Sequence, residues 1–275
     1  MMTTTLRPTE PLQRAADGML SRHYQVCVNS RPVGAIHLST HPVFGPAVAR
    51  MEDLRIEEPD RRRGRGTVAA LAAEEVVRGW GCKRIEIAVP ADAEAALRLA
   101  TALGYVQRNR AMEKRLGPTA PELPEGSRGR PLTETEYGPW LEQGKEKYAQ
   151  SWIDRGVPAE EARAKSERDH ARLLPQGPGT PGVLLSVLEH EDTRVGTLWV
   201  ALEEEWAYVY DVEADARFRG RGHGRSLMLL AEAQAVAAGK RVLRLNVFAG
   251  NTPAERLYES LGYAPVRYIM YKNLL

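Results

Sequence analysis

The chain has 275 residues, 43% of them apolar, enough for about two ordinary domains with real cores. Its 38 lysines and arginines against 36 aspartates and glutamates leave a formal charge of +2, which excludes a general polyanion-binding field, so no nucleic-acid partner is expected. Cys27 and Cys82 show no CxxC or Cys/His ligand spacing, which excludes a disulfide framework and a zinc site, and without a signal-type segment or an apolar run near the ~18 residues of a membrane span, a soluble, cytoplasmic protein with no membrane partner is expected.

In chain order, residues 3–7 read as a short strand and 10–20 as a weak helix. Strand-like runs follow at 23–28, 32–38 and 47–56, separated by turn chemistry at Asn29-Ser30-Arg31 and His41-Pro42, and antiparallel pairing is the economical arrangement. Arg61-Arg62-Arg63-Gly64-Arg65-Gly66 then opens a helix with Val68, Leu71 and Val76 at helical spacing, ending at Gly79-Trp80-Gly81. A strand at 84–89 and a helix at 93–103, stopped by Gly104, close this half. Residues 118–131, with Pro118, Pro121, Pro124 and Pro131, have a semi-rigid linker composition, so the expected division is 1–117, a linker at 118–131, and 132–275.

The later half opens with two helices, 133–153 and 158–173, that the first has only in shortened form; they could wall a substrate cleft. Strands at 183–188, 193–202 and 206–214 lead to the stretch Arg217-Phe218-Arg219-Gly220-Arg221-Gly222-His223-Gly224-Arg225, and a helix at 226–238 follows, with Leu227, Leu230, Ala231 and Ala235 on one face and a stop at Gly239. A strand at 241–248, a helix with Pro253 in its first turn, a stop at Gly262 and a strand at 267–272 complete the chain.

The turn at 217–225 organises the rest. Its alternate glycines admit φ > 0 and let successive N–H groups face outward, the helix after it adds the positive end of its dipole, and the arginines add full charges, so it suits an anionic phosphate. A dinucleotide fingerprint requires G-x-G-x-x-G and an acidic residue about 20 positions on, and a Walker loop requires G-K-[S/T]; neither fits. On this segment alone, an Arg/Gly-rich surface turn is the plainer alternative. The two halves also superpose by number. Arg61, Gly64 and Gly66 match Arg217, Gly220 and Gly222 at an offset of 217 − 61 = 156, and Leu103-Gly104-Tyr105 matches Leu261-Gly262-Tyr263 at 261 − 103 = 158, which implies an internal duplication with a two-residue loop insertion.

The order strand, Arg217-x-x-Gly220-x-Gly222 turn, helix, strand, then Asn251-Thr252-Pro253-Ala254-Glu255-Arg256-Leu257-Tyr258-Glu259-Ser260-Leu261-Gly262-Tyr263 resembles the Gcn5-related N-acetyltransferases (GNAT) over about residues 130–275. The first half shares the turn and Leu-Gly-Tyr but has Ala93 and Ala100 where the second has Asn251 and Tyr258, so it looks like a degenerate copy, structural or regulatory and not catalytic. The resemblance implies two α/β domains, each a mixed, mostly antiparallel twisted sheet flanked by helices. It implies acetyl-CoA as co-substrate, its pyrophosphate on the turn formed by Arg219, Gly220, Arg221, Gly222, His223 and Gly224, with Arg225 beside it. The pantetheine arm is expected along the strand ending Asp211-Val212-Glu213-Ala214, at Val212 and Ala214, with Asn246, Asn251 and Ala254 on the cofactor side.

Acetyl transfer from a thioester to an amine develops negative charge on the carbonyl oxygen, which a fixed N–H stabilises. The alkylammonium acceptor, with a pKa near ~10.4, must lose a proton, and the thiolate, whose acid has a pKa near ~8.5, must gain one. Tyr258 suits the donor role, and Glu213, next to the expected acetyl position, is the candidate base; some relatives place a Glu where this chain has Asn246, an amide that takes no proton. His223 is expected to offer its backbone rather than its ring, and His37 and His41 flank a strand and a proline, so they do not suggest a metal. Tyr148, Trp152 and His170 fall in the extra helices, where ordinary packing is the plainer reading and the acceptor site the alternative. The function expected is an N-acetyltransferase acting on a primary amine of a small-molecule or peptide acceptor, as a monomer or homodimer. The alternatives are a mycothiol-synthase-like activity, because that enzyme is also a tandem of such domains, and a non-catalytic acyl-CoA-binding sensor.

Overall fold

A computed structural model describes residues 3–274. Its strands are β1 (Thr4–Pro8), β2 (Gln13–Arg14), β3 (Leu20–Val28), β4 (Arg31–His41), β5 (Gly45–Ile56), β6 (Arg84–Pro90), β7 (Val106–Arg115), β8 (Ser127–Pro131), β9 (Val183–His190), β10 (Thr193–Leu202), β11 (Ala207–Ala214), β12 (Val242–Phe248) and β13 (Ala264–Asn273). Its helices are α1 (Arg65–Gly79), α2 (Glu94–Ala102), α3 (Glu134–Ile153), α4 (Ala159–Leu173), α5 (His223–Ala237) and α6 (Thr252–Ser260). No helix among the described residues is long and apolar enough to cross a membrane.

The chain packs as two units. One runs to Ala111 and takes back Phe248–Gly250 and the stretch from Pro265; the other is Met112–Val247 with Asn251–Ala264. In the first, β1, β3, β4 and β5 pair antiparallel in turn, β5 runs parallel to β6, and β13 pairs antiparallel with β6. In the second, β8, β9, β10 and β11 pair antiparallel and β11 runs parallel to β12. Each parallel pair is joined through a helix, α1 or α5, since parallel strands need a crossover. The mixed, mostly antiparallel sheet of each unit is the architecture anticipated.

Each unit has its own core. Val26, Ile36, Leu38, Ile85, Ala69 and Ala73 pack in the first, and Leu198, Leu227, Met228, Ala231, Leu243 and Leu245 in the second. A separate aromatic cluster in the second unit, Trp140, Leu174, Leu185 and Trp199, lies where α3 and α4 meet β9 and β10. Thr133 starts α3 with a capping box: its hydroxyl accepts from Glu136 N–H, and the Glu136 carboxylate accepts from Thr133 N–H at 3.0 Å.

Several expectations change. The weak helix at 10–20 is instead β2 and the start of β3, because β3 recruits Leu20 and pairs Gln13 with Ser21. The linker at 118–131 ends in a strand: Ser127–Pro131 pairs with β9, so its proline stands at a strand end on an edge where no ladder N–H is needed. Strand β7 went unread, since its run of Arg, Asn, Glu and Lys masks the period-2 pattern. The duplication has one offset, 223 − 65 = 158, which maps α1 onto α5, β6 onto β12, α2 onto α6 and β7 onto β13, end for end. No loop insertion is needed, and Arg62, Gly64 and Gly66 stand where the second copy has Gly220, Gly222 and Gly224.

That offset shows where the ends of the two last strands pack. Lys114 on β7 is the counterpart of Lys272 on β13, and Glu74 on α1 that of Glu232 on α5. Yet Lys272 pairs with Glu74 (2.7 Å) in the first unit and Lys114 pairs with Glu232 (2.8 Å) in the second. The main chain agrees: Leu274 N–H donates to Lys83 O, and Leu116 N–H donates to Arg241 O, both at the same offset. By packing, the residues of β13 from Pro265 on thus complete the first unit, and the end of β7 from Met112 on belongs to the second.

Candidate functional site

In the second unit the parallel pairing of β11 with β12 covers only Ala207–Val209 against Leu243–Leu245, while β11 continues to Ala214 against β10. The β10 register also slips between Trp199 and Val200, one residue before Asp211 on the partner strand, and such bulges re-aim the chain beside functional sites. Beyond that fork lies a cleft of about 680 Å³, within the range of small-molecule sites. Val212, Glu213 and Ala214 line it from β11, the glycine turn closes one end, and Asn251, Pro253, Ala254, Leu257 and Tyr258 line it from α6.

The turn is built as an anion cradle. Gly220 and Gly222 have φ of 76° and 87°, and a Cβ on either would meet no atom within 4 Å, so the space over them is open. Gly222 is the N-cap of α5, no side chain caps that helix, and no acidic residue stands in its first turn, so its N-terminal dipole is unanswered from within. Arg225 donates to Ser260 Oγ (2.6 Å), which ties the turn to α6, while Arg217 is bound to Asp215, whose carboxyl it holds down at about 2. Arg217 and Arg221 both lie over the Phe218 ring.

Of the anticipated residues, Val212, Glu213, Ala214, Arg219, Gly220, Gly222, His223, Gly224, Arg225, Asn251, Ala254 and Tyr258 line this cleft. Arg221 and Asn246 are not among its walls, and Asn246 is exposed on β12. The ring of His223 is buried, 5.2 Å from that of His190, and burial lowers its pKa. Asn251 is the N-cap of α6, its Oδ1 accepting from Ala254 N–H at 3.4 Å. Phe218, Pro253 and Leu257 join the lining unanticipated; Leu257 is three residues after Ala254, a helical spacing that could have found it.

Tyr258 is 6% exposed, with its ring edge-on to Tyr263 at 6.1 Å, and burial together with the charge of Asp211 pushes its hydroxyl up to about 12. It therefore stays protonated through the neutral range. Half-buried Asp211 is pushed up to about 6, by desolvation first and Glu213 second, with Lys147 and the Val212 amide pulling the other way. Glu213 is ion-paired with Lys147 of α3. Asp211, Glu213, Lys147 and Tyr258 are thus one electrostatic cluster, and Asp211 is the member that the strand periodicity alone did not single out.

Tyr148, Trp152 and His170 belong to the packing of α3 on α4. The Tyr148 hydroxyl donates to Asp169 (3.0 Å), His170 Nδ1 lies 2.8 Å from Ser166 O, and the Tyr148 ring stands edge-on to Trp152 and His170. His37 and His41 are bound to Ser21 and to Glu86 respectively, and no group of three or more metal-type side chains forms among the described residues.

The counterpart turn in the first unit differs. Arg62, at φ 57°, stands where the second copy has Gly220. Asp60, 3% exposed, receives both Arg31 (2.8 and 3.0 Å) and Arg65, so a carboxylate of the chain itself already answers the charge at the start of α1. Ala93 caps α2 without a side-chain hydrogen bond, and Ala100 fills the place of Tyr258.

Comparison with known proteins agrees with this architecture. The family model described as Acetyltransferase (GNAT) family matches residues 3–105 and 143–263. The chain is 31% identical over 150 residues to the Bacillus subtilis protein named uncharacterized N-acetyltransferase YycN, a match spanning 52% of this chain and 96% of that one. Among solved structures, a GCN5-related N-acetyltransferase from Sphaerobacter thermophilus superposes with a TM-score of 0.58 at 20% identity, over 92% of this chain and 80% of that one. A tandem GNAT protein from the clavulanic acid biosynthesis pathway gives 0.53 at 18% identity, over 95% and 85%. The chain belongs to the GNAT acetyltransferase family, whose model it matches in both copies.

Proposed function

We propose that the second unit transfers an acetyl group from acetyl-CoA to a primary amine, and that the first unit does not catalyse. The observation that carries this reading is the single cleft with an uncapped, glycine-lined helix start at one end and a buried, protonated Tyr258 at the other. The open space over Gly220 and Gly222 fits a pyrophosphate on main-chain N–H groups, and the edge of Val212–Ala214 beyond the last β12 pair fits an amide-bearing arm laid as an added strand. Bound there, the thioester supplies an activated acetyl carbonyl.

The rest is done by the chain. A main-chain N–H near Val212 stabilises charge on the carbonyl oxygen. Asp211, ionised above about pH 6, takes a proton from the incoming ammonium, and Glu213 seats that ammonium beside it. Tyr258 gives its proton to the departing sulfur. Supporting the assignment of chemistry to one unit, the first has alanine at the Tyr258 and Asn251 positions and Asp60 against Arg65.

The test follows free thiol released from acetyl-CoA across a panel of primary amines. Tyr258→Phe keeps the ring and its packing, so turnover should fall by about 10²–10⁴-fold with coenzyme A binding retained. Binding without turnover on any amine makes the protein an acyl-CoA sensor instead, and full activity in the variant removes Tyr258 from the chemistry.

A further inference from the structure

Lys147 is anomalous among the lysines. Lys114, Lys145, Lys165 and Lys272 pair with Glu232, with Glu142 and Glu167, with Asp169 and with Glu74, none of which lines the cleft. Lys147, on α3 and 46% exposed, instead reaches to Glu213, which forms the cleft wall together with Tyr258. Its charge also acts on Asp211, whose own charge acts on the Tyr258 hydroxyl. A primary alkylammonium therefore already sits in the acidic seat where the reading above needs one.

We propose that Lys147 is an intramolecular acetyl acceptor, its ε-amine seated on Glu213 and taking the acetyl group of the thioester held in the cleft. The inference rests on the acetyltransferase reading. In the step, Asp211 removes one proton from the Lys147 ammonium, and the nitrogen lone pair forms the C–N bond to the acetyl carbon. The C–S bond breaks with its electron pair on sulfur, which takes the Tyr258 proton. A second nitrogen proton returns to the Tyr258 oxygen through water, and Asp211 releases its proton to solvent. The balance is one ammonium and one thioester in, one amide, one thiol and one proton out, with no redox change.

Tethering favours this acceptor, since an amine held beside the acyl group competes at a high effective concentration. Acetylation abolishes the positive charge, breaks the pair with Glu213 and leaves both carboxylates without Lys147 as their cation. The seat is then vacated for an external molecule of the same chemistry, a primary alkylammonium.

The experiment incubates the full chain with isotopically labelled acetyl-CoA and maps the label by peptide mass spectrometry. Lys147 should be labelled at least tenfold faster than any other lysine, at a rate constant independent of protein concentration and strongly reduced in Tyr258→Phe. In Lys147→Arg the label should vanish from that peptide. Label spread evenly over lysines, unaffected by Tyr258→Phe, or second order in protein overturns the inference. If external amines are acetylated while Lys147 stays unlabelled, this inference alone fails; if calorimetry finds no coenzyme A binding, the underlying reading fails and takes this one with it.

Discussion

Asp211→Asn is the sharpest probe of the cleft, because it alters stability and chemistry in opposite directions. In the folded chain the Asp211 carboxyl is raised from 3.8 to about 6, by burial and then Glu213. Between about pH 4 and 6 the native state therefore holds a proton that the unfolded chain has released, and stability falls as pH rises through that window. Above it the full cost remains: about two units at ~1.4 kcal/mol each, or up to about 3 kcal/mol. Asparagine is neutral throughout, nearly isosteric, and its oxygen still accepts from the Val212 amide. Thermal unfolding of both proteins from pH 4 to 8 should show near-equal Tm at pH 4 and a gap opening to about 6–12 °C in favour of the variant by pH 7. The same variant should lose the rising limb of kcat/KM near pH 6. Parallel Tm curves, or an unchanged limb, would refute the assignment of a raised, proton-accepting Asp211.

Two further outcomes test the architecture. Lys114→Glu leaves buried Glu232 facing a like charge, and Lys272→Glu does the same to Glu74, each expected to cost about 3–5 kcal/mol in chemical denaturation. Adding Glu232→Lys should rescue Lys114→Glu, whereas adding Glu74→Lys should not; the opposite pattern would mean each lysine pairs within its own copy. Gly222→Ala forces a side chain onto φ 87°, a strain of about 1–2 kcal/mol, so Tm should drop by a few degrees and calorimetric affinity for coenzyme A by at least tenfold. Unchanged affinity would remove the turn from cofactor binding.

The residues at 217–225 and 251–263 announced their chemistry locally. A positive φ asks for glycine, an uncapped helix start attracts an anion, and a helix that begins on Asn251 and carries Tyr258 two turns later presents both to one cleft. Such features depend on neighbours a few residues away, so the sequence carries them whole, as it does the two cores at their strand and helix periods. Some strands were less legible: β2, β7 and β8 are short or rich in charge, and pairing rather than side-chain pattern makes them strands.

What the sequence by itself determined is the duplication, the fold of each half and the identity of the glycine turn, because these follow from backbone conformation and residue spacing. Only the tertiary structure decided where the last strands pack and that burial raises the Asp211 carboxyl. The two copies place the same Lys and the same Glu at a constant offset of 158, so both pairings satisfy the local rules equally, and only the path of the packed chain selects between them. Likewise Asp211 and Glu213 are equivalent by alternation, and it is burial on one side and Lys147 on the other that tells them apart.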